Sequence, residues 1–120
     1  MLVIGAGPLG LGTAKAFEEA DIDYIQVEAD DEVGGNWYHG VYESAHIISS
    51  RLTTEYADFP RPESYPYFTS RKQMGACYRL YADTFGFHKN IAFETKVISC
   101  VPNPDESRTI AFEDGSESVF

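Results

Sequence analysis

The chain has 120 residues, 43% hydrophobic and 23% charged, the composition of a soluble globular chain of one domain at most, which argues against disorder as a whole. Its formal charge of −10 argues against a nucleic-acid or anionic-membrane surface, because both need clustered Lys and Arg; an anionic cofactor held by backbone amides stays compatible. Two cysteines without CxxC spacing fit a reducing, cytoplasmic compartment and exclude a redox-active cysteine pair, and neither a membrane-spanning stretch nor a signal peptide is readable.

Met1 to Ile4 form an apolar run that reads as a first strand, short for one expected to sit centrally in a parallel sheet. Gly5-Ala6-Gly7-Pro8-Leu9-Gly10 follows at once. Gly5 permits a tight turn, Gly7 lets the main chain approach a pyrophosphate, and Gly10 lets a helix lie close to the sheet. That helix is predicted from about Pro8 to Ala20, with Leu9, Thr13, Ala16, Phe17 and Ala20 on one face. Ile22 to Glu28 reads as a second strand, apolar enough to be covered on both faces, and closes on an acid eighteen positions after Gly10. Strand, glycines, helix, strand and acid in this order make a Rossmann-like βαβ dinucleotide-binding unit. The helix N-terminus would face phosphates and the Glu28 carboxylate the ribose hydroxyls. A glycine-rich turn that binds nothing is the bland alternative.

From Asp30 to Thr69 neither helical nor strand periodicity is sustained, and a connection this long is functional or conceals short elements. Ser70 reads as the N-cap of a helix through about Phe85, with Met74, Cys77, Tyr78, Tyr81 and Phe85 in one stripe and Gly86 as its stop. Strands follow at Ile91 to Phe93, Lys96 to Val101, Arg108 to Phe112 and Ser118 to Phe120, the last two joined as a hairpin across Asp114-Gly115. Cys77 and Cys100 both read as small core residues. The final strand ends in mid-pattern, so the chain is expected to be the N-terminal portion of a longer protein.

Glu28 is followed by Ala29-Asp30-Asp31-Glu32-Val33-Gly34-Gly35-Asn36-Trp37. Two glycines admit a ligand close to the main chain, and a Trp supplies a flat wall for a ring system. A nicotinamide dehydrogenase needs no such second element. Here the chain resembles the FAD-binding half of the flavin-containing monooxygenases. The resemblance continues through Tyr42-Glu43-Ser44, Ser49-Ser50-Arg51, Asp58-Phe59-Pro60-Arg61-Pro62, Tyr65-Pro66, the helix after Ser70, and Phe93-Glu94-Thr95-Lys96-Val97.

The resemblance implies a partial FAD-binding domain over residues 1–120: an α/β unit with a long irregular insertion and a C-terminal β-hairpin. It implies an enzyme in which NADPH, bound outside this chain, reduces FAD, and a flavin hydroperoxide oxygenates an amine nitrogen or sulfide sulfur of a small-molecule substrate. By position, Gly5, Ala6, Gly7, Pro8, Leu9 and Gly10 would wrap the pyrophosphate and Glu28 would hold the ribose. Gly35, Asn36 and Trp37 would lie on the flavin side, with Ile48 and Ser49 further along the cofactor. The family usually carries an Asn where this chain has Ile48, and an Ile donates no hydrogen bond. That departure keeps open a non-catalytic or uncoupled FAD-binding module; a plain NAD-dependent dehydrogenase is the third reading. No catalytic residue is assigned.

Other candidates carry less. His39, His46 and His88 lack metal-ligand spacing, and His46 draws notice only through its closeness to Ile48. Asp30-Asp31-Glu32 reads as a solvated turn rather than a metal site. Arg51 suits a phosphate or a surface ion pair, and the Tyr and Phe of residues 56 to 68 suit a core beneath the long loop. A homo-oligomer is compatible with all of this.

Overall fold

The computed structural model describes residues 1–120. A three-stranded parallel sheet of β1 (Leu2–Ile4), β2 (Ile25–Val27) and β3 (Ile91–Ala92) has β2 in the middle. Leu2, Val3 and Ile4 pair with Ile25, Gln26 and Val27, and Gln26 and Val27 pair with Ile91 and Ala92. β1 is therefore an edge strand within this chain and not the central one, because both crossovers step the same way across the sheet. The first crossover is α1 (Pro8–Glu19) and the second contains α2 (Arg71–Phe85). A second, antiparallel sheet is a meander of β4 (Val97–Pro102), β5 (Arg108–Phe112) and β6 (Glu117–Val119), so the expected hairpin gains a third strand.

The second strand is shorter than its apolar run suggests, and the reason lies at the end of α1. Asp21 adopts a left-handed φ of 53°, and the Ile22 amide returns to the Phe17 carbonyl at 2.9 Å while Asp21 bonds to Glu18. That is a Schellman-type closure in which Ile22 finishes the helix instead of starting the strand. Coverage of the sheet also differs from expectation. Val3 and Gln26 are buried, and the meander covers Leu2 and Val27 through Ile110 and Phe112, but Ile4 and Ile25 are each 53% exposed.

The buried face of α1 is not the predicted one. Leu11 and Ala14 are fully buried, whereas Leu9 is 87% exposed and Thr13, Ala16 and Ala20 lie outward. The inward face is set by Gly10, where α1 meets the Gly5 carbonyl and no Cβ fits, which turns Leu11 and Ala14 to the core and Leu9 to the outside. By contrast α2 follows its sequence signals. Ser70 and Gln73 form a reciprocal capping box, Gly86 closes the helix at φ 71°, and Met74, Cys77, Tyr78 and Tyr81 are buried.

The core between α1, α2 and the sheet joins Leu11, Ala14, Val33, Ile47, Met74, Tyr78, Tyr81, Phe87 and Ile91. Tyr81 stacks on Tyr56 at 4.1 Å and meets Phe59 and Phe85 edge-on at 5.2 and 4.9 Å. The expected loop aromatics thus divide: Tyr56 and Phe59 pack on the core, whereas Tyr67 and Phe68 are at least half exposed. Cys77 is buried as expected, but Cys100 is exposed: it stands opposite buried Ile110 in the meander, yet β4 is uncovered along its whole length beyond Val97.

Candidate dinucleotide site at the glycine turn

Gly5 leaves β1 with φ 94°, a conformation that an L side chain rarely adopts, and Gly7 is an extended N-cap followed by Pro8 at the first helical position. The Gly5 amide donates to the Val27 carbonyl at 2.7 Å and the Ala6 amide to Glu28 Oε2 at 2.5 Å. Pro8 has no amide hydrogen, and those of Gly7, Leu9 and Gly10 find no acceptor within the chain. Three free donors therefore converge at the positive end of a 12-residue helix, which is the arrangement that binds a phosphate oxygen.

Gly10 is required by contact. A Cβ there would fall 2.9 Å from the Gly5 carbonyl carbon, closer still to its oxygen, and 3.1 Å from Gln26 Nε2. Gln26 is fully buried in β2 and donates to the same Gly5 carbonyl at 2.9 Å, leaving its own Oε1 without a partner. This residue holds the glycine turn from below. The single polar side chain in the near-continuous apolar run Tyr24-Ile25-Gln26-Val27 is the signal in the sequence that marks it.

Glu28 is 6% exposed and its two oxygens accept from the Ala6 and Asp30 amides. The carboxylate braces the turn, and a carboxylate with four lone-pair directions retains capacity for ribose hydroxyls. Gly34 and Gly35, at φ 108° and 53°, bring the second glycine pair directly onto the first. The Gly34 amide donates to the Ala6 carbonyl at 2.9 Å, and a Cβ on Gly35 would lie 3.2 Å from Gly7 Cα. The two motifs that sequence reading treated as separate contacts to a cofactor thus form one packed unit. Asn36 is exposed, Trp37 is partly buried against the core, and Gly40 gives Asn36 room: a Cβ there would lie 2.9 Å from Asn36 Cα.

Ile48 and Ser49 lie in a segment tied to residues 67–71 by Ile47 to Thr69 and Arg51 to Tyr67 hydrogen bonds. Ile47 is buried and Ile48 is 92% exposed. Ser49 shares a 2.5 Å hydrogen bond with Thr54, and no hydrogen bond joins Ile48 or Ser49 to the glycine turn. His46 Nδ1 lies 2.9 Å from the Ile47 carbonyl oxygen. Arg51 donates to the Pro62 carbonyl at 3.2 Å and makes no ion pair.

The long segment reaches the turn through residues that no local signal marks. The Tyr56 hydroxyl donates to the Pro8 carbonyl, and burial raises its pKa. Burial likewise pushes Tyr81 up to about 12, so the ring cluster stays neutral at ordinary pH. Arg61 is buried without a carboxylate partner at its guanidinium. It donates to the Thr54 and Arg51 carbonyls and, with Pro8, Leu9, Tyr56 and Tyr78, lines a cavity of about 160 Å³.

The acidic turn is not simply solvated. Glu32 accepts from the Val33 amide and pairs with Arg79 at 2.8 Å and His88 at 3.4 Å; Asp31 pairs with His39 at 2.9 Å. Burial pushes the Glu32 carboxyl up, but the amide, His88 and Arg79 outweigh it and hold it below its ordinary value. No helix is long and apolar enough to cross a membrane.

Comparison with known proteins places this geometry. The family model described as flavin-binding monooxygenase-like matches residues 1–118. The flavin-containing monooxygenase 5 of Rattus norvegicus is 33% identical over 114 residues, covering 88% of this chain and 21% of its own length, so the chain spans about a fifth of that relative. Among solved structures, an oxidized steroid monooxygenase bound to NADP superposes with TM-score 0.88 at 24% identity, over 98% of this chain and 24% of its own. OTEMO in complex with FAD and NADP gives TM-score 0.87 at 23% identity, over 98% of this chain and 23% of its own.

Proposed function

Because the chain belongs to the flavin-binding monooxygenase-like family, we propose that it is the FAD-gripping portion of a flavin-dependent, NADPH-using monooxygenase acting on a small molecule with a soft nucleophilic nitrogen or sulfur. The observation that carries this reading is the trio of free amides, Gly7, Leu9 and Gly10, at the start of α1 with buried Glu28 bracing the turn. Those amides would hold the pyrophosphate and Glu28 the ribose, while Gly35, Asn36 and Trp37, with Ile48 and Ser49 beyond them, would meet the flavin side. FAD, when bound, supplies the redox and oxygen chemistry; the protein orients it and screens it from water. NADPH would bind outside these residues, and a cytoplasmic location suits two unpaired thiols.

FAD titrated into the purified protein, followed by flavin absorbance and fluorescence, tests the assignment. Saturable one-to-one binding that NAD does not displace is the expected result. A colourless protein that takes up NAD and no flavin would sink it. One observation favours a second reading, an uncoupled or non-catalytic FAD module: Ile48, in the family's Asn position, is an exposed side chain with no donor. Counting NADPH consumed, product formed and hydrogen peroxide released by the full-length enzyme separates the two. Product in step with NADPH supports oxygenation, and peroxide alone supports the second reading.

A further inference from the structure

Three of the chain's nine Lys and Arg residues line one cavity, of about 450 Å³, on the N-terminal half of α2. Its walls are Trp37, Tyr38, Arg71, Lys72, Gly75 and Arg79, with Glu43 at the rim. Arg71 and Lys72 occupy the first two positions of α2, whose first turn holds no acid. Cations there oppose the positive end of the helix dipole. In a chain of net charge −10 this placement does nothing for the helix itself.

The cations are also incompletely used. The Arg71 Nη2 group donates to the Tyr38 carbonyl, Nη1 lies 3.9 Å from a fully exposed Glu43, and the buried Nε has no partner. Lys72 makes no ion pair or side-chain hydrogen bond. Arg79 pairs with Glu32 and lies 5.2 Å from the Tyr38 ring centre. An orphan buried donor, a free ammonium and two aromatic walls are what a planar organic anion requires.

We propose that this cavity binds a small aryl or similarly planar anion, its carboxylate or phosphate held by Arg71 and Lys72 and its ring against Tyr38. The site does not depend on the flavin assignment. Saturation-transfer NMR and calorimetry on the purified protein test it, with benzoate and phenyl phosphate as probes and benzamide as the neutral counterpart. Either anion should bind at least about tenfold more tightly than benzamide, the stronger of the two identifying the head group. Lys72→Glu should remove that preference with an unchanged circular dichroism spectrum, Lys72 having no partner to lose. Benzamide binding as tightly as the anions, or Lys72→Glu retaining the preference, would overturn the proposal. A second series adds FAD: anion binding that persists supports a separate site, whereas displacement by FAD assigns the cavity to the cofactor and refutes it. Failure of FAD itself to bind leaves the anion series intact.

Discussion

Adding one methyl group at Gly10 and, separately, at Gly12 tests how closely α1 must approach the sheet. At Gly10 the new Cβ would sit 2.9 Å from the Gly5 carbonyl carbon, nearer its oxygen, and 3.1 Å from Gln26 Nε2. These are backbone and a buried, hydrogen-bonded amide, so α1 must retreat and the Gln26 to Gly5 bond must stretch. Overpacking of this kind costs about 1–3 kcal/mol, and the upper end applies because no flexible side chain can yield. Helix propensity returns about 0.5–1 kcal/mol, leaving a net loss of about 2–2.5 kcal/mol. At Gly12 the only neighbour is Tyr56 Cε1 at 3.4 Å, an ordinary contact, so Gly12→Ala should keep the propensity gain of about 0.5–1 kcal/mol. With a urea m-value of about 2 kcal/mol/M, the two variants should differ in midpoint by about 1.5 M, measured by far-ultraviolet circular dichroism. Gly10→Ala unfolding at or above the midpoint of Gly12→Ala would refute the close-approach argument.

Other outcomes follow from the same structure. Tyr56→Phe removes the hydroxyl that ties the long segment to Pro8 and should lower stability by about 1 kcal/mol in the same urea assay, the stacking on Tyr81 being retained. Glu32→Gln should destabilise the protein at neutral pH. The Val33 amide, His88 and Arg79 hold the Glu32 carboxyl below its ordinary value in the folded state, so its contribution is present above the ordinary value and lost as pH falls through the folded one. The wild type should therefore converge on the variant in acid, as read by melting temperature against pH. Glu28→Ala should weaken FAD binding by about 1.5–3 kcal/mol through loss of charge-assisted contacts, measured by flavin fluorescence.

How much of this was legible beforehand follows the range of the interactions. α2 was read nearly residue for residue because its cap, its stripe and its terminal glycine all act within a few positions of one another. The glycine turn was read for the same reason. α1 was placed correctly but rotated wrongly, since close packing selects Gly10, Leu11 and Ala14 for the inner face and leaves Leu9 outside. The start of β2 was set too early because Asp21, not a glycine, takes the left-handed position that closes α1. Least legible was residues 30–69, whose anchors reach far along the chain: Tyr56 to Pro8, Arg71 to Tyr38, and Gly34 to Ala6. No periodicity records such contacts, so the buried Arg61 and the seating of one glycine pair on the other emerged only in three dimensions.

The central claim is that the three unpaired amides at the start of α1 receive the cofactor's pyrophosphate. Nitrogen-15-resolved NMR of the purified protein titrated with FAD addresses those groups one by one. The amide resonances of Gly7, Leu9 and Gly10 should shift most, and in a saturable way, as they acquire charged acceptors. FAD binding that leaves these three resonances in place while moving others would contradict the account.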